Sequence, residues 1–201
     1  MNFKTLTHVK DYDFKINFRS NILSLGSCFS QEISQKLSVL KYKVTQNPCG
    51  ITFNPTSILS CIKTCKSKES LPLDTLIKTS DLYAHPNFHG SFNHPDPQQV
   101  ISNINNSRLT ANKRLQTVDC VILTLGTAFV FKRKDSGTVV NNCHKLPNDL
   151  FDRVMLTNTE IYRALQDIKS EIESFSDVSP RFIITLSPVR HIRDGLIANQ
   201  R

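Results

Sequence analysis

The chain has 201 residues, 39% of them hydrophobic, enough for one domain with a real core. No apolar run reaches the length of a membrane span, and the opening stretch MNFKTLTHVKDYDFKINF lacks the apolar centre of an export signal. The net charge of +8 invites a nucleic-acid partner, but the lysines and arginines are spread thinly and the densest run, FKRKD at 131–135, is short. A solvated basic surface is expected, with no nucleic-acid site.

In chain order, NILSL (21–25) is apolar and runs into Gly26, the pattern of a buried strand. Phe29, Ile33 and Leu37 then recur every four residues and predict one apolar helical face. YKVTQ (42–46) reads as a second strand, stopped by NPCG. In NPTSILSCIKTC, Asn54 suits an N-cap, Pro55 the first helical position, and Ile58, Leu59 and Ile62 form the apolar stripe. Residues 66–97 show little periodicity and read as an ordered insertion loop, HPNFHGSFNHPDP included, that shapes the pocket. A helix is expected to resume near Pro97 with Val100, Ile101 and Ile104 inward. VDCVILTLG (118–126) is the strongest strand, and FVFKRKDSGTVVNN reads as a hairpin around DSG. TNTE (157–160) is a capping-box pattern, continued by Ile161, Leu165, Ile168 and Ile172, and RFIITLSP (181–188) reads as another buried strand.

Strands alternating with helices predict a single α/β domain over 1–201, with a mainly parallel sheet and helices on both faces. Four unusual motifs then fall at carboxyl ends of strands: GSCF, NPCG, GTAF and SPVRH. Ligands gather at those ends in such sheets. Six cysteines without an export signal read as free thiols in a cytoplasmic protein. Cys61 and Cys65, four apart on one helical face, could contribute to a metal site. A second ligand pair at zinc spacing is missing, so packing is the expected role and neither metal nor cofactor is expected.

Ser27 sits in the turn from the first strand into a helix, where free N–H groups favour negative charge. A nucleophilic serine needs exposure, oxyanion donors and a base. Exposure at the turn, and backbone N–H groups from Ser27 and Gly50, are expected to meet the first two needs. The plain alternative is that Ser27 only caps the helix. Its neighbour Cys28 is expected to point into the core. Neither G-x-G-x-x-G nor G-x-x-x-x-G-K-[ST] occurs, which argues against a nucleotide site.

GSCFS (26–30), NPCGITFNPTSI (47–58), FHGSF (88–92), TLGTAFVF (124–131), NCHKLP (142–147) and SPVRHIRDG (187–195) together resemble the GSCFA-domain family, with Ser30 in place of the final Ala of the name. That family is similar to the SGNH, or GDSL-like, hydrolases. The resemblance implies a flavodoxin-like three-layer sandwich, Ser27 as nucleophile and Gly50 as oxyanion-hole residue. It also implies hydrolysis of an ester, or transfer of its acyl group, on a small-molecule, glycan or lipid substrate. Two departures stand out. GTA (126–128) replaces the superfamily's Gly-X-Asn, leaving Thr127 or Asn142 to supply the third donor. No Asp-X-X-His closes the chain, so the last strand and usual base are expected to be missing. His191 is the candidate base, with a structural role as its alternative, and Asn47, His89, His144 and Arg190 are assigned to substrate binding. The competing expectation is a catalytically inactive carbohydrate- or ligand-binding module on the same fold.

Overall fold

In the computed structural model, residues 11–187 are described. The chain opens with β1 (Asn21–Gly26), α1 (Cys28–Val39), β2 (Lys43–Gln46) and α2 (Pro55–Lys66). A hairpin of β3 (Ile77–Thr79) and β4 (Leu82–Ala84) precedes α3 (Pro97–Gln116) and β5 (Cys120–Leu125). After β6 (Phe129–Arg133), β7 (Val139–Val140) and β8 (Phe151–Met155), α4 (Asn158–Glu173) leads to β9 (Arg181–Leu186).

Four strands form the central parallel sheet, in the order β2-β1-β5-β9. Strand alternation sorts its side chains onto two faces. Leu23, Leu25, Val121 and Leu123 join Ile58 and Ile62 of α2, Val100 and Ile104 of α3, and Ile168 and Ile172 of α4 in the main core. Ile22, Cys120 and Ile122 meet Leu37 of α1, with Val44 and Ile183, on the other. Helices therefore cover both faces, α1 on one and α2, α3 and α4 on the other. Deleting a large side chain from the main core costs about 2–5 kcal/mol.

Local chemistry starts the helices where it was expected. Asn54 Oδ1 accepts from Ser57 N at 2.8 Å, and Pro55 occupies the first turn of α2. At α4, Thr157 N donates to Glu160 Oε2 at 2.7 Å while Glu160 N donates back to Thr157 Oγ1 at 3.3 Å, a complete capping box. The hairpin around DSG forms, pairing Phe131 with Val140, and β8 adds a third strand that the sequence reading left out.

Three expectations are corrected. The inward face of α1 is part serine: Ser30 and Ser34 are buried and Leu37 packs on the sheet as expected, whereas Phe29 is 39% exposed. The Ser24 and Ser30 hydroxyls bond at 2.7 Å, and Ser34 Oγ donates to the Ser30 carbonyl, so a polar seam lets this helix lie close to β1. Strand β9 is not deeply buried. It pairs with β5 alone among the described strands, and Ile184 and Leu186 are 52% and 76% exposed. An apolar run reads the same whether one edge or both are covered. Residues 66–97 are more than a loop, since they hold the β3–β4 hairpin and two short 3-10 turns.

Consecutive elements run outward from β1 in opposite directions, to β2 on one side and to β5 on the other. The carboxyl ends of β1 and β5 therefore flank a topological switch point, where open parallel sheets leave a crevice.

Candidate functional site

Gly26 ends β1 at φ +135°, and a Cβ there would lie 2.1 Å from the Thr124 carbonyl oxygen of β5. Only glycine permits that close approach. Its backbone is then stitched to the segment after β2. Gly26 N donates to Asn47 Oδ1 at 2.8 Å, Asn47 N donates to Ser24 O at 2.8 Å, and Thr52 N donates to Gly26 O at 3.0 Å. Farther along, the Phe53 carbonyl accepts from Gly126 N at 2.7 Å and Thr127 N at 3.0 Å. Residues 47–53 thus bridge the ends of β1 and β5.

Ser27 lies at the centre of this arrangement, at the N-cap position of α1 with an extended backbone (φ −69°, ψ 179°). Its side chain caps nothing, and Oγ is buried with no hydrogen-bond partner. The plain capping role is therefore not taken up. The expected exposure is not found either: Ser27 is 1% exposed and Cys28 is the exposed neighbour. The extended backbone at position 27 turns the serine Cβ toward Gly126, so the next side chain faces out. A Cβ at position 126 would stand 3.4 Å from Ser27 Cβ and 3.1 Å from the Phe53 ring, which makes ring and serine neighbours.

The two amides expected to hold an oxyanion are already engaged. Ser27 N donates to Thr124 O at 3.1 Å, and Gly50 N closes the 47–50 turn onto Asn47 O at 2.7 Å. Gly50 is still required, because at φ +77° a Cβ would fall 2.1 Å from His89 Cβ. Thr127 Oγ1 accepts from Phe129 N at 3.1 Å, leaving only its proton to offer. What is free beside Ser27 is different. Asn47 Nδ2 is buried without a partner while its Oδ1 is fixed to Gly26. The first-turn amides of α1, from Cys28 to Ser30, have no carbonyl one turn back within the helix.

Asn142 and His144 gather elsewhere. With Gly90, Asn93, Ser80 and Asp81 they line a cleft of about 610 Å³, and Ser27 is not among its lining residues. Asn142 Oδ1 accepts from His144 N at 2.8 Å. His144 Nε2 donates to the His85 carbonyl at 2.9 Å, which leaves Nδ1 to accept from Asn93 Nδ2 at 3.3 Å. Burial pushes the His144 imidazole below its ordinary value. His85 falls to about 4, through burial first and then the nearby charges of His144 and Arg108. His89 Nδ1 accepts from Ser91 N at 3.2 Å and so starts a short turn. Arg190 and His191 lie outside the described residues.

Sequence reasoning missed Phe53, Asn93 and His85. Asn93 and His85 stand in the His-rich stretch before Pro97, where composition alone points to no partner. It also missed that Cys49 reaches Cys61 and Cys65 to make a group of three thiols. All six cysteines are free, and among the described residues no helix is long and apolar enough to cross a membrane.

No curated protein and no solved structure matches the chain significantly. Residues 21–201 match the model of one family. That span runs from β1 through every strand end described above, and on this match the chain belongs to the GSCFA family.

Proposed function

We propose that the protein is a serine hydrolase or acyltransferase of the SGNH, GDSL-like kind, acting on an ester with Ser27 as nucleophile. One observation carries the reading: at the switch point of the sheet, a buried serine hydroxyl and a buried asparagine NH₂ both lack a partner in the same small neighbourhood. A buried polar group left unmatched costs about 1–3 kcal/mol, a cost expected at a functional site rather than in a packed turn. The strand order β2-β1-β5-β9 supports a flavodoxin-like sheet, as the first four of the order 2-1-3-4-5.

In this reading the donor set differs from the one inferred from sequence. Asn47 Nδ2, held by its Oδ1 against Gly26, takes the place of the Gly50 amide. The free α1 amides contribute the remaining donors and the favourable end of the helix dipole. The half-exposed Phe53 ring is the movable cover, and its rotation admits the substrate carbonyl to Ser27. Ser27 Oγ attacks that carbonyl as its proton passes to a base, the base hands the proton to the ester's alcohol oxygen, which departs as the alcohol, and water or an acceptor alcohol then takes the acyl group off the serine. His191 remains the candidate base, and the cleft at Asn142 and His144 is assigned to the rest of the substrate. A cytoplasmic setting agrees with six free thiols.

Hydrolysis of short-chain aryl esters tests this. The full chain is expected to turn them over, Phe53→Ala faster at low substrate, and Ser27→Ala not at all. A second reading is favoured by the burial of Ser27 and by the separate cleft: a binding module for carbohydrate or a similar polar ligand. It is the correct one if the full chain turns over no ester while a glycan panel perturbs the NMR signals of Asn142 and His144.

A further inference from the structure

Three cysteine sulfurs converge in the core on the α2 side of the sheet. Cys61 and Cys65 are one helical turn apart on α2, and Cys49 reaches them from the loop that carries Asn47 and Gly50. Their Sγ atoms all lie within 4.8 Å of one another, and the three residues are 1% to 4% exposed. None is oxidised to a disulfide. Around a metal with sulfur bonds of about 2.3 Å, three sulfurs in a plane stand about 4 Å apart, so a small contraction closes the set.

A second feature points the same way. Arg108 is 3% exposed, yet its guanidinium meets only neutral oxygens: the carbonyls of Thr64 at 3.0 Å, Ser67 at 3.2 Å and Glu69 at 3.0 Å, and Asn105 Oδ1 at 2.8 Å. Among the described residues no carboxylate pairs with it. A buried cation without a counter-charge is costly. The contact with the Thr64 carbonyl places the Arg108 cation at the residue next to Cys65 in the chain.

We propose that Cys49, Cys61 and Cys65 form a three-sulfur site for a soft monovalent cation of the copper(I) class. Thiolates select such ions, and three-fold coordination suits them. Tetrahedral zinc needs a fourth ligand, and no fourth joins this group among the described residues. One bound cation displaces two thiol protons to solvent and keeps the third thiol. The resulting site carries a single negative charge, which Arg108 neutralises, and no electron changes hands. The ion ties the 47–53 loop to α2 and so fixes the position of Asn47.

The test uses the full chain with the more accessible thiols removed, Cys28→Ser with Cys143→Ser, reduced and free of oxygen. Copper(I) delivered from a weak chelator is expected to bind once per chain and to raise the melting temperature. X-ray absorption should then show three sulfur neighbours. Cys65→Ser is expected to weaken binding on the order of 100-fold. Cys49→Ser gives the same result independently should the helical variant fail to fold, and Cys120→Ser leaves binding intact. Zinc(II) is expected to wash out with a mild chelator. The proposal is overturned if the folded chain holds no stoichiometric copper(I), if Cys49→Ser and Cys65→Ser bind it undiminished, or if zinc(II) is held more tightly.

Discussion

Two serines three residues apart separate structure from chemistry. Ser24 Oγ spends its hydrogen bond on Ser30 at 2.7 Å, whereas Ser27 Oγ spends none. Removing Ser24 strands the buried Ser30 hydroxyl, so Ser24→Ala is expected to lose about 1–2 kcal/mol in urea unfolding. Ser27→Ala removes an already unmatched hydroxyl and is expected to stay within about 0.5 kcal/mol of wild type, or to gain slightly. Equal losses at both positions would mean that Ser27 has a structural partner after all. Asn47 is the second residue that the proposed mechanism uses. Losing one oxyanion donor costs about 100-fold or more in turnover. Asn47→Asp keeps the acceptor for Gly26 N but replaces the NH₂ donor with negative charge, so kcat should fall by at least that factor with KM little changed. An unchanged kcat would return the donor role to another group.

At the scale of elements, the helices that were legible in the sequence are those whose start is written locally. The capping box of α4 needs only Thr157 and Glu160, three residues apart. Thr157→Ala is expected to cost about 1 kcal/mol, seen as a lowered denaturation midpoint with an unchanged slope. The inner face of α1 was legible only at Leu37, because periodicity arguments follow apolar residues and this helix also packs through Ser30 and Ser34. The exposure of β9 was hidden for the complementary reason: RFIITL carries no mark of which edge will be covered. Strand ends were easier to place. Parallel strands joined by helices must put their carboxyl ends on one side, so GSCF, NPCG and GTAF had to gather there once the alternation was recognised. Which amides stay free at that rim depends on register, and the bonds Ser27 N to Thr124 O and Gly50 N to Asn47 O leave no trace in composition or spacing.

For the whole molecule, the buried histidines set the acid limit. His85 is held to about 4 by burial first, and His144 is also lowered by burial. Between pH 4 and 6.5 the unfolded chain binds protons that the folded chain refuses, so stability rises with pH in that window and is lost as pH falls through it. His85 alone accounts for about 3 kcal/mol by this linkage. Urea midpoints should therefore fall between pH 7 and pH 4.5, and His85→Asn should flatten that fall; a midpoint indifferent to pH there would contradict the burial of a neutral imidazole. The proposed function rests on the Ser27 hydroxyl at the junction of β1 and β5, and a fluorophosphonate probe tests it most directly. With peptide mapping by mass spectrometry, the intact chain is expected to carry one adduct, on Ser27, absent from Ser27→Ala, whose fold is preserved. A folded chain that takes no label on Ser27 while a known serine esterase reacts fully under the same conditions would contradict the account.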